Sequence, residues 1–410
     1  PGPVSGPGPL PISGSHAGRE RLAGMDGLRG IGAFAIVVAH VWLNLGSTAP
    51  LGGLPALLQQ VPLFLVMFFV LSAFLLHRPF VEAGLAGRPA RVRRYLENRV
   101  RRIFPAYLVV LLVAGLVLGV ATVAPFSVEA GMPRTLPETG WLWGHPALTG
   151  INAALLQTLL PGTMMTGVGP AWTLTVELCF YLLLPVLAGL AFGVGTRRLG
   201  LPAAATAWLG PVLLVVTGLV AKWVHVHVLL AGMTPAEAFF ADWGPTWQAV
   251  FARSMLVQAD LLGIGMACAV VYVRWRGSSA SPARLAVLGS LLLGGLVVAV
   301  TLPTWHDTGW ALFWAGMVLL VATRPPARGL GRVAGLLASR PVHWAGERSY
   351  SVYLWHLPVI LLLARTGVAA PQTTAGFAAN CAMVLAATYL LADLTWRWVE
   401  RPALTRRRRG

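Results

Sequence analysis

Arg29 and His40 stand eleven residues apart, with no other ionisable residue between them. At 3.6 residues per turn this spacing is close to three whole turns, so both side chains fall on one face of a helix, about 16 Å apart along its axis. An imidazole can take or give a proton near neutral pH. A guanidinium binds phosphate oxygens through paired hydrogen bonds. A histidine so placed can also be a packing residue held by one hydrogen bond, but the aligned arginine weakens that reading. In RPARVRRYLENRVRRIFP, residues 88–105, Arg99 and Arg102 share a helix face and can hold a phosphorylated cofactor. On charge alone the favoured reading is ordinary positive-inside sequence that contacts lipid headgroups.

Three more ionisable residues interrupt apolar sequence: Glu177 in PAWTLTVELCFYLLLP, Asp260 in ARSMLVQADLLGIGMA and His356 in GERSYSVYLWHLP. Each can serve as a hydrogen-bond partner between helices. Converging in one bundle, two imidazoles and two carboxylates would supply a general base, a group to orient it and polar contacts for a substrate. His225 and His227 form an HxH pair that lacks a third ligand and does not share a helix face, so both read as solvent residues. Cys179, Cys268 and Cys381 have neither CxxC nor metal-ligand spacing, and no metal site or disulfide is expected.

The elements that must position these groups follow from composition. Of 410 residues, 56% are hydrophobic and 11% charged, against about a quarter charged in a soluble domain. Mean hydropathy is +0.71. A hydrocarbon core about 30 Å thick needs about 20 apolar residues per helix. Ten such runs cover roughly 28–46, 58–77, 103–124, 172–193, 204–224, 250–273, 285–303, 309–323, 350–367 and 376–397. The shorter apolar stretch 151–160 reads as a re-entrant or interfacial piece. The fold class expected is therefore all-α, a polytopic membrane protein of about ten transmembrane helices.

Cytoplasmic loops collect Lys and Arg. With the N-terminus inside, 27 of the 31 basic residues fall on cytoplasmic segments, leaving Arg134, Lys222, Arg253 and Arg365 on or near the outer side. Both termini are thus expected in the cytoplasm. The net charge of +17 is read as topology, and nucleic acid is excluded as a partner because a chain mostly in lipid has little water-facing surface for it. Thirty arginines against one lysine suit a GC-rich bacterial genome. Residues 1–18 are rich in Pro, Gly and Ser and read as a disordered cytoplasmic tail, 19–402 as one transmembrane domain and 403–410 as a basic cytoplasmic tail.

These segments, in this order, resemble the acyltransferase-3 family of integral-membrane O-acyltransferases, from about Arg21 to Pro402. MDGLRGIGAFAIVVAH is similar to its opening helix with an Arg-x10-His motif, FFVLSAFLL to its FFxLSGFLL segment and RVRR to its RxxR motif. AWTLTVELCFYLLLP, QADLLGIG, GERSYSVYLWHLP and VERP resemble its later motifs, with the acid at Glu177. Ala73 stands where the family usually has Gly, and Thr173 and Thr175 where Ser is common.

The resemblance implies transfer of an acyl group, often acetyl, from cytoplasmic acyl-CoA to a hydroxyl of a sugar, envelope glycan or secondary metabolite. Acyl-CoA would be a donor substrate, with no tightly bound cofactor, and the protein would sit multi-pass in a bacterial inner membrane. In that frame Arg29, Arg99 and Arg102 receive the donor's phosphates and His40 is the general base. Glu177 or His356 orients the base or holds the acceptor, and Asp260, Trp172 and Tyr353 contact substrate. The outer loop 125–171 shapes acceptor choice. A proton-coupled transporter or flippase, and a noncatalytic glycan-binding scaffold, are the rival readings.

Overall fold

A computed structural model of the chain describes residues 14–46, 48–59, 62–124, 138–276, 281–323 and 335–405. Each of the ten apolar runs lies on a long helix. These are α1 (Gly14–Val41), α2 (Pro62–Leu85), α3 (Val92–Leu112), α4 (Trp172–Ala188), α5 (Leu209–Val224), α6 (Ala259–Trp275), α7 (Pro282–Thr301), α8 (His306–Thr323), α9 (Arg340–Arg365) and α10 (Thr374–Thr395). Among the described residues, seven helices are long and apolar enough to cross a membrane. Of the rest, α6 has 17 residues, α8 opens on His306 and Asp307, and the first half of α9 carries Arg340, His343, Glu347 and Arg348. The protein is an all-α polytopic membrane protein. Helix α1 begins at Gly14, inside the segment read as a tail, while 1–13 and 406–410 lie outside the described residues.

Two of these runs, and the shorter stretch 151–160, differ from the reading of the sequence. The run at 103–124 stops being helical at Val117, because Gly119 turns the chain at φ +63° and Ala121–Thr122 then pairs with Thr139–Gly140 as a small antiparallel ribbon. The run at 250–273 is split. A short helix, Trp247–Ala252, ends where Arg253 donates to the Ala249 carbonyl and Gln258 to the Ala252 carbonyl, and α6 starts only at Ala259. The stretch 151–160 is the end of a short helix, Pro146–Ala153, followed by a 3-10 turn at Gln157–Leu159.

Close approach of α1 to α9 fixes the centre of the bundle. A Cβ on Gly346 would overlap the Asp26 carbonyl oxygen, and one on Gly30 would come within 2.9 Å of the Gly346 nitrogen. Only hydrogen side chains let these two backbones meet, the small-residue contact on which membrane helix packing relies. The unusual Ala73 on α2 is accommodated by Gly265 on α6, whose added Cβ would lie 2.8 Å from the Ala73 methyl carbon. α6 also packs on α5 and α2, and α7 on α8, which itself touches α1.

Candidate active site

His40 closes the last α-helical turn of α1, just before a π-helical turn at Trp42–Gly46. Such turns displace the backbone register and recur at functional positions. The His40 carbonyl accepts from Asn44 Nδ2 at 2.7 Å, and its ring Nδ1 lies 2.9 Å from the Ile36 carbonyl. A carbonyl can only accept, so Nδ1 carries a proton, and in the neutral ring the lone pair sits on Nε2, the atom a general base uses. His356, fully buried on α9, repeats the arrangement with Nδ1 2.7 Å from the Tyr353 carbonyl. The two rings meet edge to face, with centroids 4.8 Å apart. Residues 316 positions apart are neighbours because the α1–α9 glycine contact draws the helices together.

Two cavities lie along this face of α1. The smaller, about 100 Å³, is lined by Arg29, Arg99, Arg102 and Glu177, with hydroxyls of Ser72 and Thr173 in its wall. The larger, about 590 Å³, is lined by His40 and Trp172 among others. Leu65, Phe69 and Tyr353 line both and so form the partition between them. Tyr353 is held there by its hydroxyl, which donates to the Pro170 carbonyl at 2.6 Å and lies 2.9 Å from Thr173 Oγ1. Arg29, Arg99 and Arg102 thus stand at one cavity and the His40 imidazole at the other. Of the loop 125–171, Met165, Gly169 and Pro170 contribute to the larger wall, while 125–137 lie outside the described residues.

The arginines differ in their engagements. Arg102 is committed to Glu400, 2.7 Å away and almost fully buried, which also accepts from Ser351. Arg29 faces Asp26 at 3.7 Å. Arg99 stacks over Tyr181 at 5.9 Å, and its buried Nε has no hydrogen-bond partner. Glu177 accepts from the Tyr181 hydroxyl and sits with these guanidinium groups, so it belongs to the arginine cavity and not beside His40. Of the two groups read as orienting the base, His356 is the one that touches it.

Asp260 does not converge with the imidazoles, which corrects its reading as a substrate contact. Its Oδ2 accepts from Lys222 Nζ at 2.7 Å and Thr308 Oγ1 at 2.5 Å, and none of the three lines the His40 cavity. Lys222, placed near the outer surface by charge counting, is only 6% exposed, since a carboxylate on the adjacent helix takes its charge inward. His225 is also no solvent residue: it is buried and pairs through Nε2 with Asp242 Oδ1 at 2.8 Å. His227 is exposed, as read. Among the described residues no group of His, Cys, Asp and Glu is arranged to hold a metal.

Sequence reasoning passed over Arg253, Asp242 and Trp243, all of which line the larger cavity. The Arg253 guanidinium lies 4.2 Å from the Trp243 ring centre and 5.8 Å from that of Trp172. Arg253 also donates to the Asp242 carbonyl. A lone arginine on the side that positive-inside counting leaves poor in charge was the available signal.

The sequence model for the Acyltransferase domain matches residues 22–393. The acyltransferase MdmB of Streptomyces mycarofaciens is 27% identical over 395 residues, covering 94% of this chain and 92% of that protein. The peptidoglycan O-acetyltransferase OatA of Listeria monocytogenes is 22% identical over 401 residues, 94% of this chain and 56% of its own length. The putative peptidoglycan O-acetyltransferase YrhL of Bacillus subtilis is 24% identical, with 55% of its length covered. The chain therefore spans about half the length of the two peptidoglycan enzymes. No solved structure matches it.

Proposed function

The chain belongs to the Acyltransferase domain family, and from that membership we propose that this membrane acyltransferase moves an acyl group, often acetyl, from acyl-CoA to a hydroxyl of a sugar, glycan or secondary metabolite. The observation that carries the reading is the pair of cavities on one face of α1, arginines at one and His40 at the other, meeting at Leu65, Phe69 and Tyr353. The positive-inside distribution supports an arginine end that faces the cytoplasm, where acyl-CoA is available, and a bacterial inner membrane is the location this reading assigns. Family membership also sets the transporter and scaffold readings aside.

In this mechanism the donor's phosphates rest on Arg29, Arg99 and Arg102, and its arm passes the hydroxyls of Ser72, Thr173 and Tyr353 to bring the thioester to the partition. His40 Nε2 takes the acceptor hydroxyl's proton as the oxygen attacks the thioester carbonyl. The C–S bond then breaks, the thiolate leaves with the proton from His40, and the ester remains on the acceptor. His356 packs against the base and keeps its ring oriented. Glu177 offsets the charge of the guanidinium groups before the phosphates arrive.

Binding of acetyl-CoA to the purified protein tests the donor half. Arg99→Gln should weaken affinity about ten- to a hundredfold at low salt and flatten its salt dependence, because charge-assisted hydrogen bonds contribute about 1.5–3 kcal/mol. Unchanged affinity at both low and moderate salt would return the cluster to lipid headgroups. Arg102→Gln is the poorer probe, since it leaves Glu400 buried without its partner.

A further inference from the structure

We infer that the larger cavity is the acceptor site and that it takes a discrete, largely apolar alcohol, not a glycan strand; this rests on the acyltransferase reading above. Its volume of about 590 Å³ falls within the range of pockets that enclose one small molecule. Leu58, Leu65, Val66, Phe69, Leu261 and Leu357 contribute to its wall, and the rings of Trp172 and Trp243 add aromatic surface.

Most of the polar side chains that line it bond within the protein, Thr122, whose buried hydroxyl has no partner, being an exception. Asn44 donates to the His40 carbonyl, Gln258 to the Ala252 carbonyl and Tyr353 to the Pro170 carbonyl. Asp242 accepts from His225, and Arg253 covers Trp243 while donating to the Asp242 and Ala249 carbonyls. Asp307 is bonded to His306. A sugar chain entering this chamber would surrender the water on every hydroxyl and find few replacements, at a cost for each one left unpaired. An apolar molecule gains from the same surroundings, and its one reacting hydroxyl meets His40. The mouth fits an amphipathic entrant: exposed Gln59 and Gln372 stand there with Phe239, whose ring is 40% exposed.

The experiment presents full-length protein in nanodiscs with acetyl-CoA and an equimolar mixture of apolar alcohols (sterols and macrocyclic lactone alcohols) and oligosaccharides (chitooligosaccharides and muropeptides), and identifies acetylated products by mass spectrometry. The expected result is product in the apolar class at least tenfold above the oligosaccharides, reduced about tenfold by Phe239→Asp at the mouth. Dominant oligosaccharide products overturn the inference and leave the acyltransferase reading intact. So does the absence of any apolar product while His40-dependent thiol release to water continues. Loss of that thiol release from the wild-type protein overturns the reading beneath it instead.

Discussion

His40→Ala is expected to lower acyl transfer by about 10²–10⁴-fold, the loss typical of removing a positioned general base. The substitution deletes the one imidazole that lines the acceptor cavity and whose hydrogen bond to Ile36 leaves Nε2 with the lone pair. Folding should survive it. His40 is only partly buried, and its Nδ1 bonds within its own helix. Thiol release from acetyl-CoA in the presence of acceptor, measured beside the elution profile and thermal unfolding of the variant, checks both halves. A protein that unfolds like wild type and still transfers acyl groups at near its rate would mean that another group takes the proton. His356→Ala separates orientation from proton transfer: it should lower turnover less than His40→Ala while leaving donor affinity where it was.

Lys222→Met is expected to be the most destabilising single change away from the active site. It removes the partner of a fully buried carboxylate, and breaking a buried ion pair in this way costs about 3–5 kcal/mol. The pair joins α5 to α6, and Thr308 extends it to α8, so its loss loosens three helices behind the acceptor cavity. Adding Asp260→Asn should recover most of the loss, because the charge left uncompensated by the first change disappears with the second. Thermal unfolding in nanodiscs gives the comparison. Equal midpoints for wild type and Lys222→Met would show that the pair contributes nothing to holding these helices, and a double variant no better than the single would show that packing, not charge, is what was lost.

Arg29 and His40 lie where their spacing puts them, because helical periodicity is local: residues eleven apart on one helix share a face whatever surrounds it. The partners of the same groups were harder to read. From the sequence Glu177 orients the base or holds the acceptor, and its place among the arginines is not legible there, since a sequence gives a carboxylate's depth along its helix but not which neighbour it faces. Asp260 and Lys222 show this most plainly. Each looked like a separate polar residue, one in a membrane run and one near its end, and each is explained by the other across 38 positions.

Composition and pattern by themselves determined that the chain is helical, that it inhabits a membrane and that one arginine, Arg29, and one imidazole, His40, lie on one face of its first helix. These properties depend on hydrophobicity, charge and a fixed helical repeat, which every segment carries without reference to the others. Only the tertiary structure decided that His356 meets His40, that Glu177 keeps to the arginines, that Asp260 is occupied by Lys222, and that Arg253, Asp242 and Trp243 help to line the second cavity. Those pairings depend on which helices touch, and that is set by where backbones can approach, as at Gly30 and Gly346, a steric property of two surfaces together.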